Sequence, residues 1–128
     1  KYMKDHPLKQ DDQAWLIVDK DNWKEKQLKE LFSWSKKNKK YGLAVSSPSF
    51  KYWLLLHFED GKNIYSSHTC QQRLQKYLPG YNKQIDNYKF KQGIEEAIKR
   101  ARQKDTPQCI DWPRETGTTV YRLVENLI

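Results

Sequence analysis

Residues 14–22, Ala14-Trp15-Leu16-Ile17-Val18-Asp19-Lys20-Asp21-Asn22, decide the fold. The apolar run from Ala14 to Val18 is unbroken and stops at Asp19. A run this short and this apolar reads as a strand of a parallel sheet, with its carboxyl edge at the first carboxylate. Beyond Asp21 the period changes: Leu28, Leu31, Phe32 and Ser35 share one helical face, and Asn22 with Glu25 has the spacing of a capping box. That helix should end near Asn38 to Gly42. Gly42-Leu-Ala-Val-Ser46 then reads as a second strand. Strand, helix, strand is one right-handed crossover unit, so the chain is expected to be an α/β protein with a small parallel sheet flanked by helices.

Downstream the pattern is helical. Ser47-Pro48 reads as an N-cap followed by proline at the first helical position, opening a helix to about Phe58. Phe50, Trp53, Leu54 and His57 form one stripe of it, while Leu55, Leu56 and Phe58 cover its other faces, as in a central core helix. Glu59-Asp-Gly61 breaks it. Another helix should start at Ser67 to Thr69, turn Leu74, Tyr77 and Leu78 inward, and stop at Pro79-Gly80. Residues Tyr81 to Tyr88 carry no decisive pattern. Ile94, Ala97, Ile98 and Ala101 define an amphipathic helix, Thr106 to Thr116 reads as loop, and Val120, Leu123, Val124 and Leu127 make a final helix capped by Thr118 or Thr119. Two strands alone are not a stable sheet. A further strand is therefore either hidden in the chain or contributed from upstream of Lys1, since the sequence does not open on Met.

A length of 128 residues fits one domain, taken as 1–128. Mean hydropathy is low, at -1.04. However, 5 Trp, 8 Tyr and 4 Phe supply large buried areas and exclude a disordered chain. No apolar run approaches the roughly 20 residues of a membrane helix, and Lys1 to Gln10 lacks the apolar core of a secretory signal. Cys70 and Cys109 have no partner at zinc-ligand spacing and are too few for a disulfide framework. Both read as cytoplasmic free thiols. A net charge of +8 steers polyanions such as nucleic acid toward the surface.

The feature with the most chemistry is Asp19-Lys20-Asp21, a pair of carboxylates directly after an apolar strand. Ligands of open α/β sheets bind at this edge, and Mg²⁺ takes one or two carboxylates while keeping several waters. The alternative is structural, with Asp21 capping the next helix and Asp19 solvated at the strand end. Lys36, Lys37, Lys39 and Lys40 form one basic cluster; Lys99, Arg100, Arg102 and Lys104 form another. Each either contacts phosphates without selecting sequence or complements a helix carboxyl end. Trp23 and Trp112, in expected loops, either stack on bases or pack. His6, His57 and His68 are scattered, and His57 on an apolar stripe reads as a core residue. No phosphate-cradling glycine loop occurs.

The blocks WLIVDKD, SSPSFKYWLLLHFE, YLPGY and PRETGTTVYRLVENL together resemble the RloB-like family of bacterial defence proteins, and the resemblance spans nearly the whole chain. The resemblance implies a TOPRIM-like fold and a Mg²⁺-dependent nuclease, with Mn²⁺ as a substitute, acting in restriction-linked or abortive-infection defence beside an ABC- or AAA-type ATPase. Asp19 and Asp21 match the family's DxD and would be both catalytic and metal-binding. The pattern's glutamate would precede Lys1, and Lys51 stands where relatives tend to carry an acid. With those differences the resemblance also leaves a noncatalytic adaptor that binds the ATPase or nucleic acid.

Overall fold

The computed structural model describes residues 13–79 and 87–127. Strand β1 (Ala14–Asp19) leads through a 3-10 turn (Lys20–Asn22) into helix α1 (Glu25–Ser35), and strand β2 (Tyr41–Ser47) follows. The two strands pair in parallel, Ala14 opposite Tyr41 through to Asp19 opposite Ser46. Their side chains alternate between the two faces. Leu16 and Val18 of β1, with Leu43 and Val45 of β2, meet Leu28, Leu31 and Phe32 of α1 and the ring of Trp112. On the opposite face Trp15 and Ala44 join the larger core. β2 is buried from Gly42 to Ser46. β1 is less covered than a strand enclosed on both faces, because Ile17 is 49% exposed.

The sheet is mixed. Its third strand, β3 (Gly117–Thr118), runs antiparallel to β2 in the order β1-β2-β3, with Thr118 opposite Ser46 and Gly117 opposite Ser47. This is the hidden strand; at two residues it is too short to show a period of its own. Thr119 prolongs the pairing, its N–H donating to the Val45 carbonyl at 2.9 Å while its Oγ1 accepts from the Val45 N–H at 2.9 Å. The Ser46 and Thr118 hydroxyls lie 2.7 Å apart in the interior.

The helices pack around this sheet. α1 starts later than the Asn22–Glu25 box implies: Asn22 is consumed by the 3-10 turn, and the Lys24 N–H donates instead to Gln27 Oε1 at 2.8 Å. Helix α2 (Phe50–Leu55) is also shorter than the sequence pattern suggests. Pro48 precedes it, Ser49 occupies the N-cap position, and beyond Leu55 the chain tightens, His57 and Phe58 donating to carbonyls three residues back. Residues 52–57 are buried nonetheless, so this short segment is the centre of the core.

Helix α3 (Ser67–Tyr77) is capped by Ser66, whose Oγ accepts from the Thr69 N–H. It buries Cys70 and Leu74, and the Tyr77 ring stacks on Phe58 at 5.2 Å. Helix α4 (Asn87–Lys104) takes in the last two residues of the ambiguous stretch; residues 81–86 and Gly80 lie outside the described residues, as does His6. α4 passes the turn that follows α2 at Gly93, where a Cβ would stand 2.3 Å from the His57 carbonyl oxygen. Helix α5 (Val120–Leu127) buries Val120 and Tyr121 and sets Val124 against the core. Thr118 Oγ1 accepts from its first N–H at 3.1 Å. Leu127, expected to face inward, is 72% exposed because the last turn extends past the core. No helix among the described residues is long and apolar enough to cross a membrane.

At Gly42 the sheet admits no side chain: a Cβ would lie 2.5 Å from the Trp15 ring on the neighbouring strand. Gly42→Ala is expected to cost about 1–3 kcal/mol, the usual range for overpacking. Because the clash has a single partner, Trp15→Leu should recover part of that loss. A double-mutant cycle by urea denaturation reads the coupling, and additive losses would show that Trp15 is not the obstacle.

Candidate metal and nucleic-acid site

Asp19 and Asp21 reach the carboxyl edge of the sheet by different routes. Asp19 is the last residue of β1, half-buried, and its Oδ1 accepts the Phe50 N–H at 2.8 Å. It therefore satisfies the first donor of α2 and is held in one orientation by it. Asp21 lies in the 3-10 turn, its N–H donating to the Pro48 carbonyl at 3.3 Å, and its side chain is exposed. Neither acid caps α1.

Of the cations beside Asp21, Lys20 lies in the same turn and Arg114 comes from the loop that precedes β3. Arg114 grips Asp111 with both arms of its guanidinium, at 2.9 and 3.1 Å, donates to the Trp112 carbonyl at 2.7 Å, and lies over the Trp112 ring at 4.3 Å. Burial opposes ionisation of Asp111, but the Arg114 hydrogen bond, the Trp112 N–H and the Arg114 charge together outweigh it and keep this carboxyl below its ordinary range. Lys20 Nζ donates to the Arg114 carbonyl at 2.8 Å, tying the aspartate turn to the same loop. A cleft of about 340 Å³ lies between them, lined by Lys20, Asp21, Trp23, Glu25, Trp112 and Arg114. A second cleft, about 500 Å³, opens on the other side of Arg114 and is lined by Ser47, Tyr65, Lys104, Glu115 and Thr116.

The loop itself is pinned from behind. Asp105, buried at the end of α4, accepts the Tyr121 hydroxyl at 2.5 Å, Arg122 at 2.6 Å and the Cys109 N–H at 2.9 Å. Burial raises the cost of its charge, yet the hydrogen bonds from Cys109, Tyr121 and Arg122 prevail and its pKa falls below 3.8.

The basic residues singled out in the sequence separate into different places. Lys36, Lys37, Lys39 and Lys40 follow the carboxyl end of α1 and precede β2. The Lys40 carbonyl accepts the Ala14 N–H, so this cluster lies at the amino edge of the sheet, opposite Asp19 and Asp21. Lys36 lies over the Phe32 ring at 5.0 Å. In the other cluster Lys99 is exposed, Arg100 donates to the Leu56 carbonyl at 2.8 Å, and Arg102 pairs with Glu125. Lys104 alone of the eight lines a cleft shared with Arg114. Arg114, Lys20 and Glu115 were not singled out in the sequence. Their only sequence signal is the DKD and PRET blocks, because the contacts that unite them span 94 residues.

Burial acts on Cys70, Cys109 and His57, whereas His68 is exposed on α3. Desolvation pushes the Cys70 thiol up to about 12 and the Cys109 thiol up to about 11, so both stay protonated near neutrality. His57 is buried with Nδ1 3.0 Å from the Trp53 carbonyl, and desolvation lowers its pKa below 6.5. It is a core residue, as its stripe position implies. Lys51 Nζ donates to Gln71 Oε1 at 3.0 Å. Among the described residues no three His, Cys, Asp or Glu side chains form a metal-binding group. Asp19 and Asp21 supply only hard oxygen donors, which fits Mg²⁺ or Mn²⁺ held largely by water.

A half-buried carboxylate at the carboxyl edge of a small mixed sheet, followed by an exposed one that shares a cleft with Arg114 and Lys20, defines an α/β protein with an acidic strand end. The chain belongs to the RloB-like protein family, whose model matches residues 1–127. No curated protein and no solved structure matches it.

The lowered pKa values of His57, Asp105 and Asp111 give acid sensitivity in two stages. His57 binds its proton more weakly folded than unfolded, so its contribution is complete above about pH 6.5 and is lost as pH falls below it. Asp105 contributes above about pH 4, and that contribution is lost as pH falls through its lowered value. Asp105→Asn should cost about 3 kcal/mol at pH 7 and shrink the lower stage, to which Asp111 also contributes, while leaving the upper stage intact. Urea denaturation across pH 3–8 checks both, and a variant as stable as wild type at pH 7 would refute the role of Asp105.

Proposed function

We propose that this chain is the Mg²⁺-dependent, TOPRIM-like nuclease component of a bacterial anti-phage system, restriction-linked or abortive, hydrolysing phosphodiester bonds with Asp19 and Asp21 as its metal-binding and catalytic acids. The observation that carries this reading is that Asp19 ends β1 at the carboxyl edge of the parallel pair and Asp21, two residues on, lines a cleft with Lys20 and Arg114. Mg²⁺ bound there would polarise the phosphate and stabilise charge developing on its oxygens. Asp19, fixed by the Phe50 N–H, presents its carboxylate without reorganising. Asp21, exposed, meets solvent and substrate together. Arg114, preset by Asp111 and stacked on Trp112, offers a planar cation suited to a phosphate. Lys36, Lys37, Lys39 and Lys40, with Lys99, Arg100, Arg102 and Lys104, supply the attraction of a +8 chain for nucleic acid.

The second reading is a noncatalytic adaptor for nucleic acid or a partner ABC- or AAA-type ATPase. It is favoured by two observations: Asp19 spends an oxygen on the α2 N-terminus, and a lysine, Lys51, stands just beyond it and donates to Gln71.

With Mg²⁺ or Mn²⁺ present, the full-length protein should nick supercoiled plasmid, and Asp21→Asn should lower the rate at least 100-fold while leaving the melting temperature within about 2 °C. Unchanged nicking in Asp21→Asn would remove this site from the reaction. No nicking by wild type, combined with capture of the neighbouring ATPase in a pull-down, would favour the adaptor.

A further inference from the structure

We propose that this edge takes single-stranded nucleic acid, one unstacked base lying on Trp23 while the adjoining backbone phosphates sit on Arg114 and Lys104. The proposal rests on the nuclease reading of the same edge and adds the form of its substrate.

The two tryptophans beside Asp21 differ in what they can receive. Trp112 is 2% exposed, with Phe32 edge-on at 6.5 Å and the Arg114 guanidinium over its ring. Its faces are taken, and its part is to support Arg114. Trp23 is 38% exposed and lines the 340 Å³ cleft, with its backbone fixed by an N–H bond to the Lys20 carbonyl at 3.1 Å. A large, exposed indole on an anchored backbone is a stacking platform, and base–aromatic stacking tolerates any base because each has a π face. The cleft lies at the small end of ligand-site volumes, roughly 300–1,000 Å³, and suits one flat ring system.

Charge sorts the nucleotide's parts between the two clefts. In the Trp23 cleft Asp21 and Glu25 offset Lys20 and Arg114, so without a metal its lining gives a phosphate no net attraction and the exposed indole makes the base the part it favours. Across Arg114, the 500 Å³ cleft carries Lys104 with the polar groups of Ser47 and Thr116 and suits the phosphates; Glu115 there is the one opposing charge. Arg114 borders both clefts, so a strand entering one passes it to reach the other. A paired base inside a duplex cannot lie on Trp23 without leaving its stack.

The test is fluorescence anisotropy with fluorescein-labelled dT12, rU12 and a 12-bp DNA duplex, in EDTA so that neither metal nor cleavage contributes. At least one single strand should bind about tenfold tighter than the duplex. Trp23→Ala should weaken that binding by about tenfold, within the range for loss of one stacked base, and Trp23→Phe should restore most of it. Lys104→Ala should reduce the slope of log affinity against log salt by about one. The ratio of dT12 to rU12 assigns DNA or RNA. Equal affinity for the duplex, no binding by either strand, or no effect of Trp23→Ala would each overturn the proposal. If Asp21→Asn still abolishes nicking in those cases, the nuclease reading stands and only the single-strand inference falls.

Discussion

A strand buried along five consecutive residues must have its backbone hydrogen-bonded on both sides, because an unpaired N–H or carbonyl in the interior costs about 1–3 kcal/mol. β2 is in that position from Gly42 to Ser46. On one side β1 supplies the partners in parallel register; on the other the chain must return more than 70 residues later. Gly117, Thr118 and Thr119 are that return, with Thr119 using both its N–H and its hydroxyl on Val45. Once those residues are fixed, the turn just before them is fixed as well. Arg114 and Glu115 stand beside Ser47 at the carboxyl edge, and Tyr121 is delivered to Asp105. The candidate site is thus a consequence of completing the sheet.

Distance decides how the positive charge acts on that site. The Lys36 to Lys40 cluster is separated from Asp19 by the length of the strands, about 20 Å for six residues. Screening at physiological salt extends about 8 Å. Under the proposed function those lysines would attract a polyanion to the molecule, but they lie too far away to touch a group held at Asp19. The cations that line the clefts on that side are Lys20, Arg114 and Lys104, one of which belongs to the basic clusters visible in the sequence. Arg100 and Arg102, which look equivalent to Lys104 in the sequence, are committed to the Leu56 carbonyl and to Glu125.

Helices and strands with a strong period were legible, and short elements were not. AWLIV and GLAVS announced the parallel pair, and Leu28, Leu31 and Phe32 announced the helix between them, because a burial period repeats along the chain. Asn22 misled because a 3-10 turn and a helix N-terminus share capping residues, and the choice rested on the Lys20 carbonyl. Pro48 misled because Asp19, which meets the Phe50 N–H, lies 31 residues away. Leu127 fitted the helical stripe, but a stripe does not record where the neighbouring core stops.

The sequence by itself determined the α/β class, the strand-end position of Asp19 and Asp21, the core role of His57 and the family. These follow from local apolar periods and from motifs contiguous in the chain. Tertiary structure alone decided that Gly117–Thr118 is a strand, that Asp19 serves the α2 N-terminus, and that Arg114 rather than the lysine clusters stands beside Asp21. Each of these depends on pairing groups tens of residues apart, and a hydrogen bond between distant residues leaves no period in the chain for a sequence pattern to carry.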